Sequence, residues 1–428
     1  MKKKAAILGL LLAAMVSPVF AGEGPVPEGV PSLDHVFVIM MENHGYNQIV
    51  GNPNAPFANQ LAKSANSATN YFAIGHPSLT NYLEVVGGSN FGVRTDNSPD
   101  WHNGSCTTNL ESGQAATDNP ASPDICPISG SGTDAETPAI DLTNECPTAT
   151  VPCPPGLASI DGVQSVPAAP NTSGKTIADQ LAERGLRWKS YQENLPPSGA
   201  DGVNNSDGFF TDSAGILAAL PNETQTLVNL YAVKHNPFAY FRNVQEGDSR
   251  NSSLRNVAGF EGARGLFEDL ASGHVPEFSF IAPNQCNDQH GRGNAGPQCD
   301  FDPADNGTQQ GLNPALIYQG DLTIRNLVNA IERSPSWRDG NNAIVILWDE
   351  NDYSFAPDNK VLLIVASNRR DDHGKSGGRQ SSQFYSHFSL LKSLEAGFGL
   401  PCLNHACDAN VAVMSDLFGG DEHNKHHH

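Results

Sequence analysis

The chain is punctuated by short apolar runs. The first, His35-Val-Phe-Val-Ile-Met-Met41, has no polar interruption after its histidine. It is too short for a buried helix and lacks the alternation of a half-exposed strand, so it predicts a strand covered on both faces. Residues 343–348 and 361–366 have the same character, and residues 278–282 show it more weakly. Between the runs, apolar residues recur with helical spacing over 176–184, 254–271, 320–333 and 386–396. In the third of these, Leu322, Ile324, Leu327, Val328 and Ile331 share one face. A further helix is expected over 79–86, just after Pro77. Strands alternating with helices predict an α/β fold: a mostly parallel central sheet with helices on both faces, an α/β/α sandwich. No 20–50-residue repeat interrupts that reading.

Composition sharpens the picture. The 428 residues are 38% hydrophobic and 17% charged, too apolar for a disordered chain and too polar for a multispanning membrane protein. With 46 acids against 25 bases, the net charge of −21 excludes a basic nucleic-acid-binding face and disfavours anionic membranes. Lys2, Lys3 and Lys4, an apolar stretch over 7–16 and the small-residue site ending at Ala21 predict a signal peptide over 1–21. Secretion or periplasmic export without a stable membrane anchor is expected. Residues 22–33 then form a linker, 34–420 one domain, and 421–428 a polar tail. Within the domain, residues 98–170 hold 11 of the 30 prolines and four of the eight cysteines. That texture predicts a disulfide-pinned loop insertion, a candidate lid or rim. An even cysteine count in an exported chain predicts disulfides. The spacings favour Cys146–Cys153, Cys286–Cys299 and Cys402–Cys407, leaving Cys106 with Cys126, among many possible pairings.

In an open α/β sheet, ligands bind beyond the C-terminal ends of strands. Glu42-Asn43-His44 follows the first run, Asn284 to His290 follows residue 282, and Asp349-Glu350 follows Trp348. Carboxylates gathered at one sheet edge repel unless a cation neutralises them, so this pattern predicts a divalent metal site. Ser78, after Pro77 at an expected helix start, is a candidate nucleophile, since helix N-termini favour anions. The alternative for Ser78 is a simple N-cap. His235 and His290 are candidates to bind phosphate or to protonate a leaving group. Asn97 is a candidate phosphate donor or a turn residue. His44 and His76 read as supporting residues, and Asp321 as the N-cap of its own helix.

Five motifs in order, Asp34 to Tyr46, His76-Pro-Ser-Leu-Thr-Asn-Tyr82, Cys286 to His290, Trp348-Asp-Glu350 and Tyr385-Ser-His387, resemble the phosphoesterase family. That family contains bacterial acid phosphatases and phosphatidylcholine-type phospholipases C, within the alkaline-phosphatase superfamily. The resemblance implies a metal-assisted Ser or Thr nucleophile and a covalent phosphoenzyme. By position, Glu42, Asn43, Asp349 and Glu350 resemble the ligands of one metal, and Ser78 the nucleophile. Asp288, His290 and His387 resemble ligands of a second metal, or acid/base and phosphate contacts where there is one. Two departures matter. Thr80 stands where proline is common, which makes it a rival nucleophile, and the superfamily's late Asp-His pair is Asp-Glu here.

The leading expectation is a secreted, metal-dependent phosphatase acting on small phosphomonoesters with an acidic optimum. The alternative is a phospholipase C. The modest chain length, the lack of an evident C-terminal extension and the presence of only four Trp weigh against it. A third reading is a non-catalytic, metal-stabilised binding protein, which leaves the Ser78 hydroxyl idle.

Overall fold

All four apolar runs are strands. The computed structural model describes residues 23–91, 174–195, 230–245, 252–292, 295–351, 359–369 and 378–419, with isolated positions and two short paired strands between them. The expected signal peptide, the four cysteines of the 98–170 insertion, Asn97 and the 421–428 tail lie outside the described residues.

The main sheet comprises β1 (His35–Met41), β2 (Asn66–Phe72), β3 (Trp188–Gln192), β4 (Val257–Ala258), β5 (Phe278–Ala282), β6 (Asn342–Trp348), β7 (Lys360–Ser367), β8 (Gln380–Ser381) and β9 (Tyr385–Ser386). Its order is β8-β2-β7-β6-β1-β5-β3-β4, with β9 also paired to β2. Every pairing is parallel except those of β7, which runs against both β2 and β6. At the centre, β1 lies in register with β6 from His35↔Asn342 to Met41↔Trp348. Every residue of β6, and every residue of β1 after His35, is buried, which requires cover on both faces.

Two sets of helices supply it. In one, α2 (Ser78–Gly87), α3 (Ile177–Glu183) and α6 (His387–Phe398) pack together; in the other, α1 (Pro56–Ser64), α4 (Leu266–Ser272) and α5 (Pro314–Arg333) do. Helix α2 stops at Gly88, which is left-handed (φ +69°) and whose Cβ, were there one, would meet the Leu403 carbonyl at 2.6 Å.

Three sequence expectations are corrected. Residues 254–271 are not one helix: a 3-10 turn and β4 come first, and α4 starts only after the glycines at 259, 262 and 265. Helix α5 starts at Pro314, capped by the Asn313 side chain, so Asp321 lies well inside it. The Asp321 carboxylate instead accepts the backbone N–H groups of Phe57 and Ala58 (3.0 and 2.7 Å), capping α1 from a neighbouring helix. The Cys286–Cys299 and Cys402–Cys407 disulfides are present as expected. No helix among the described residues is long and apolar enough to cross a membrane.

One buried group away from the sheet edge makes stability pH-dependent. Glu395 in α6 is fully buried; its Oε1 accepts the Leu403 N–H (2.8 Å), while its Oε2 has no hydrogen-bond partner among the described residues. Burial holds its pKa well above the usual carboxylate range, against the attraction of Lys392. A raised folded-state pKa gives stability that is full below the unfolded value and lost as pH rises through the folded one. Glu395→Gln mimics the neutral acid, so its melting temperature should exceed wild type by a few degrees at neutral pH. The two proteins should converge near about pH 4, where the wild-type acid is itself neutral. Calorimetric melts across pH check this, and coincident curves at pH 7 would refute it.

Candidate active site

The site lies where the C-terminal ends of β1, β5 and β6 face the N-terminus of α2. Because β1 and β6 are in register, the first residues past them emerge side by side: the Asp349 N–H donates to the Met41 carbonyl (2.9 Å), and the Asn43 N–H to Asp349 Oδ1 (3.0 Å). Asn43 is left-handed (φ 57°), a conformation asparagine adopts more readily than most residues. From β5, the chain brings the Asp288 carbonyl to the Glu42 N–H (2.8 Å). Glu42, Asp349, Glu350 and Asp288 thereby share one buried cluster.

Ser78 is the first residue of α2, with Pro77 as its N-cap. Its Oγ lies 3.1 Å from both Glu42 Oε2 and Glu350 Oε1. A hydroxyl has one proton to donate, so it satisfies only one of two ionised carboxylates. The rival Thr80 is turned away, its Oγ1 donating to the Pro77 carbonyl (2.8 Å). Tyr82, one turn after Ser78 on the same helix face, donates to Glu42 Oε1 (2.6 Å). Glu350 Oε2 is held by His76 Nδ1 (2.8 Å) and the Asn81 amide (3.0 Å), so His76 is a supporting residue.

His235 enters from a 3-10 turn (Val233–His235). Its Nε2 lies 3.1 Å from Glu42 Oε1, its Nδ1 lies 3.1 Å from Asp288 Oδ2, and its ring stacks on Tyr82. Beside it, the Lys234 ammonium donates to Asp96 Oδ2 (3.0 Å) and meets His290 Nε2 (3.0 Å). Asp96 also accepts the Leu79 N–H at the start of α2 (3.0 Å). The sequence reading did not single out Tyr82, Lys234 or Asp96; for Tyr82 the available signal was its four-residue spacing from Ser78. Helical spacing also explains why Thr80 points elsewhere.

His387 lies against the backbone of the cluster: its Nε2 faces the Asp349 carbonyl (2.7 Å) and its Nδ1 the Tyr71 hydroxyl (2.9 Å). Burial lowers its pKa to about 4, and the neutral ring braces the Asp349 backbone from behind. His44 also supports: its Nδ1 meets the Glu42 carbonyl (3.0 Å) and its Nε2 pairs with Asp302 (2.8 Å). Burial opposes its charge, but the Asp302 carboxylate prevails and its pKa is raised.

The electrostatics call for a cation. Burial, then the neighbouring acids Asp349 and Asp288, hold the Glu42 pKa well above the usual range. Asp349 is raised by burial and then by Glu350, and Asp288 by burial and by Asp349. Burial, then Lys234 and His290, push His235 well below its ordinary value, so it is neutral. Two buried polar atoms of the cluster, Asn43 Oδ1 and Asp349 Oδ2, have no hydrogen-bond partner among the described residues, and Asp288 Oδ2 and His235 Nε2 have only the 3.1 Å ion-pair approaches given above. Glu42, His235 and His290 place ligand atoms within 4.8 Å of one another. This set of carboxylate oxygens, an amide oxygen and imidazole nitrogens fits a divalent ion.

Residues 52–298, more than half of the chain, match the model of the phosphoesterase family. The chain belongs to the phosphoesterase family. This phosphoesterase is 24% identical over 385 residues to an acid phosphatase of Aspergillus fumigatus, covering 90% of this chain and 59% of that protein. It is 22% identical over 422 residues to a phosphatidylinositol-3-phosphatase of Mycobacterium tuberculosis, covering 97% and 93%. The phosphoesterase spans about three-fifths of the length of the fungal acid phosphatases it matches. Among solved structures, an alkaline-phosphatase-superfamily protein from Vibrio parahaemolyticus aligns with a TM-score of 0.41 at 10% identity, over 93% of this chain and 74% of that one.

Proposed function

We propose that this phosphoesterase is an exported, divalent-metal-dependent phosphomonoesterase in which Ser78 is phosphorylated during turnover. One observation carries the reading: the Ser78 hydroxyl at the head of α2 stands 3.1 Å from each of two buried carboxylates that it cannot both satisfy. Glu42, Asn43, Asp349 and Glu350 would hold one metal ion, and His235, His290 and Asp288 either a second ion or the phosphate. A metal bound there supplies positive charge that favours the alkoxide form of the nucleophile and offsets charge on the phosphoryl oxygens.

The chain's own residues do the rest. Ser78 Oγ passes its proton to Glu42 or Glu350 as it attacks phosphorus, and the P–O bond to the leaving alcohol breaks in line. Lys234 and His290, meeting at the partly exposed edge of the cluster, supply positive charge and a proton to the departing oxygen. Water then attacks the phosphoserine, giving one proton back to the Lys234–His290 pair, as the P–O bond to Ser78 breaks and the stored proton returns to Ser78 Oγ. Tyr82 and His76 keep the two accepting carboxylates aimed at that hydroxyl.

The names of the Aspergillus and Mycobacterium relatives both describe phosphomonoester cleavage, which favours this reading over phospholipase C. A panel of phenyl phosphate, glycerol phosphate and phosphatidylcholine, with and without chelator, tests it. The expected result is release of inorganic phosphate from the monoesters, abolished by chelation. Diacylglycerol release from phosphatidylcholine with the monoesters untouched would overturn it.

A further inference from the structure

Phe301 is half exposed (51%), yet its surroundings fix it. Two residues before it, Cys299 is buried and joined to Cys286. Immediately after it, Asp302 is tied to buried His44 and also accepts the Asn313 N–H. Underneath lies Gly291, left-handed at φ +87°; a Cβ there would come within 3.1 Å of the Phe301 ring and 3.2 Å of its Cα. The ring therefore seats on bare backbone. A solvent-exposed aromatic on a loose loop tip is ordinary, whereas one clamped on both flanks is a fixed apolar wall.

That wall stands at the edge of the site. The Phe301 ring meets the His290 ring edge-on, with centroids 6.2 Å apart, and His290 lies 5.4 Å from the His235 ring. The three rings lead outward from buried His235, through half-buried His290, to exposed Phe301. A leaving group that takes its proton at His290 would extend along Phe301 on its way to solvent. The aromatic ring offers that group stacking or edge contact and no hydrogen bond.

We propose that Phe301 is the wall of the leaving-group subsite, and that it selects phosphomonoesters whose alcohol carries an aromatic ring close to the ester oxygen. The inference rests on the phosphomonoesterase reading above. Its test has two arms. In turnover, the ratio of kcat/KM for phenyl phosphate to that for glycerol phosphate should fall about tenfold in Phe301→Ala and survive in Phe301→Trp. In equilibrium binding to protein supplied with divalent cation, phenylphosphonate, whose C–P bond is not an ester, should bind about tenfold more tightly than methylphosphonate. Phe301→Ala should erase that preference. Selective phosphonate binding without any turnover would defeat the proposed activity but sustain the wall. A wild-type protein with no preference for the phenyl compounds, or a Phe301→Ala protein that keeps it, would overturn the wall. So would a Phe301→Trp protein that loses the preference as fully as the alanine variant.

Discussion

Ser78→Ala should lower kcat by roughly 10³-fold or more while leaving metal content near that of wild type. The expectation follows from position. The hydroxyl sits on the first residue of α2, at the positive end of the helix, and points between Glu42 and Glu350. The alanine removes the attacking oxygen but none of the carboxylates, so the cation stays. Folding should not suffer, because the lost hydrogen bonds are ones that a single proton could make only one at a time. Acid quench with labelled substrate, followed by peptide mapping, should place the phosphate on Ser78. Label on Thr80 would contradict the assignment, and would require that side chain to leave its bond to the Pro77 carbonyl.

Removing metal should have an effect of similar size, with a characteristic pH signature. Burial and mutual repulsion raise the pKa values of Glu42, Asp288 and Asp349 well above the usual carboxylate range. In the metal-free protein each therefore contributes stability that is full below about pH 4 and lost as pH climbs through its folded-state value. Metal-free protein should melt highest in acid and progressively lower toward neutrality, and divalent cation should restore the neutral-pH melt. Glu42→Gln separates function from stability. It should lower bound metal and cut kcat by roughly 10²-fold or more, because a ligand and a proton acceptor are gone. In metal-free protein at neutral pH it should raise the melting temperature, since one buried charge is gone. Metal-free protein that keeps full activity, or that is more stable at neutral pH than in acid, would contradict the electrostatic account.

The strands were legible where both faces are buried. β1, β6 and β7 sit in the middle of the sheet, so every position is under selection to be apolar and the run stands out. β2, Asn-Ser-Ala-Thr-Asn-Tyr-Phe, lies one strand from the edge and binds only two-residue strands on its outer side, so polar residues are tolerated and no run is visible. In 254–271 the apolar spacing is genuinely helical, but glycines at 259, 262 and 265 defeat it until Leu266. The acids at the sheet edge were legible because strand ends place them. Orientation was not. His387 sits at the head of a helix near Asp349, and only the positions of the Asp349 carbonyl and Tyr71 hydroxyl show which way its two nitrogens face. Lys234 was equally opaque, because its partners Asp96 and His290 come from distant segments.

The in-register pairing of β1 with β6 has an evolutionary corollary. Glu42 and Asp349 follow directly on the partners Met41 and Trp348, so their spacing is inherited from the strand spacing of about 4.8 Å. No loop rearrangement retunes it; an inserted or deleted residue in either strand would swing one acid to the opposite face of the sheet. Phe301 sits instead just past a disulfide-closed loop, outside the strands. Descendants of this chain, natural or engineered, should diversify in what they accept at Phe301 while the acids stay invariant. Libraries built on 300 and 301 should yield altered preferences, and libraries built on 40–43 or 347–350 mostly dead proteins.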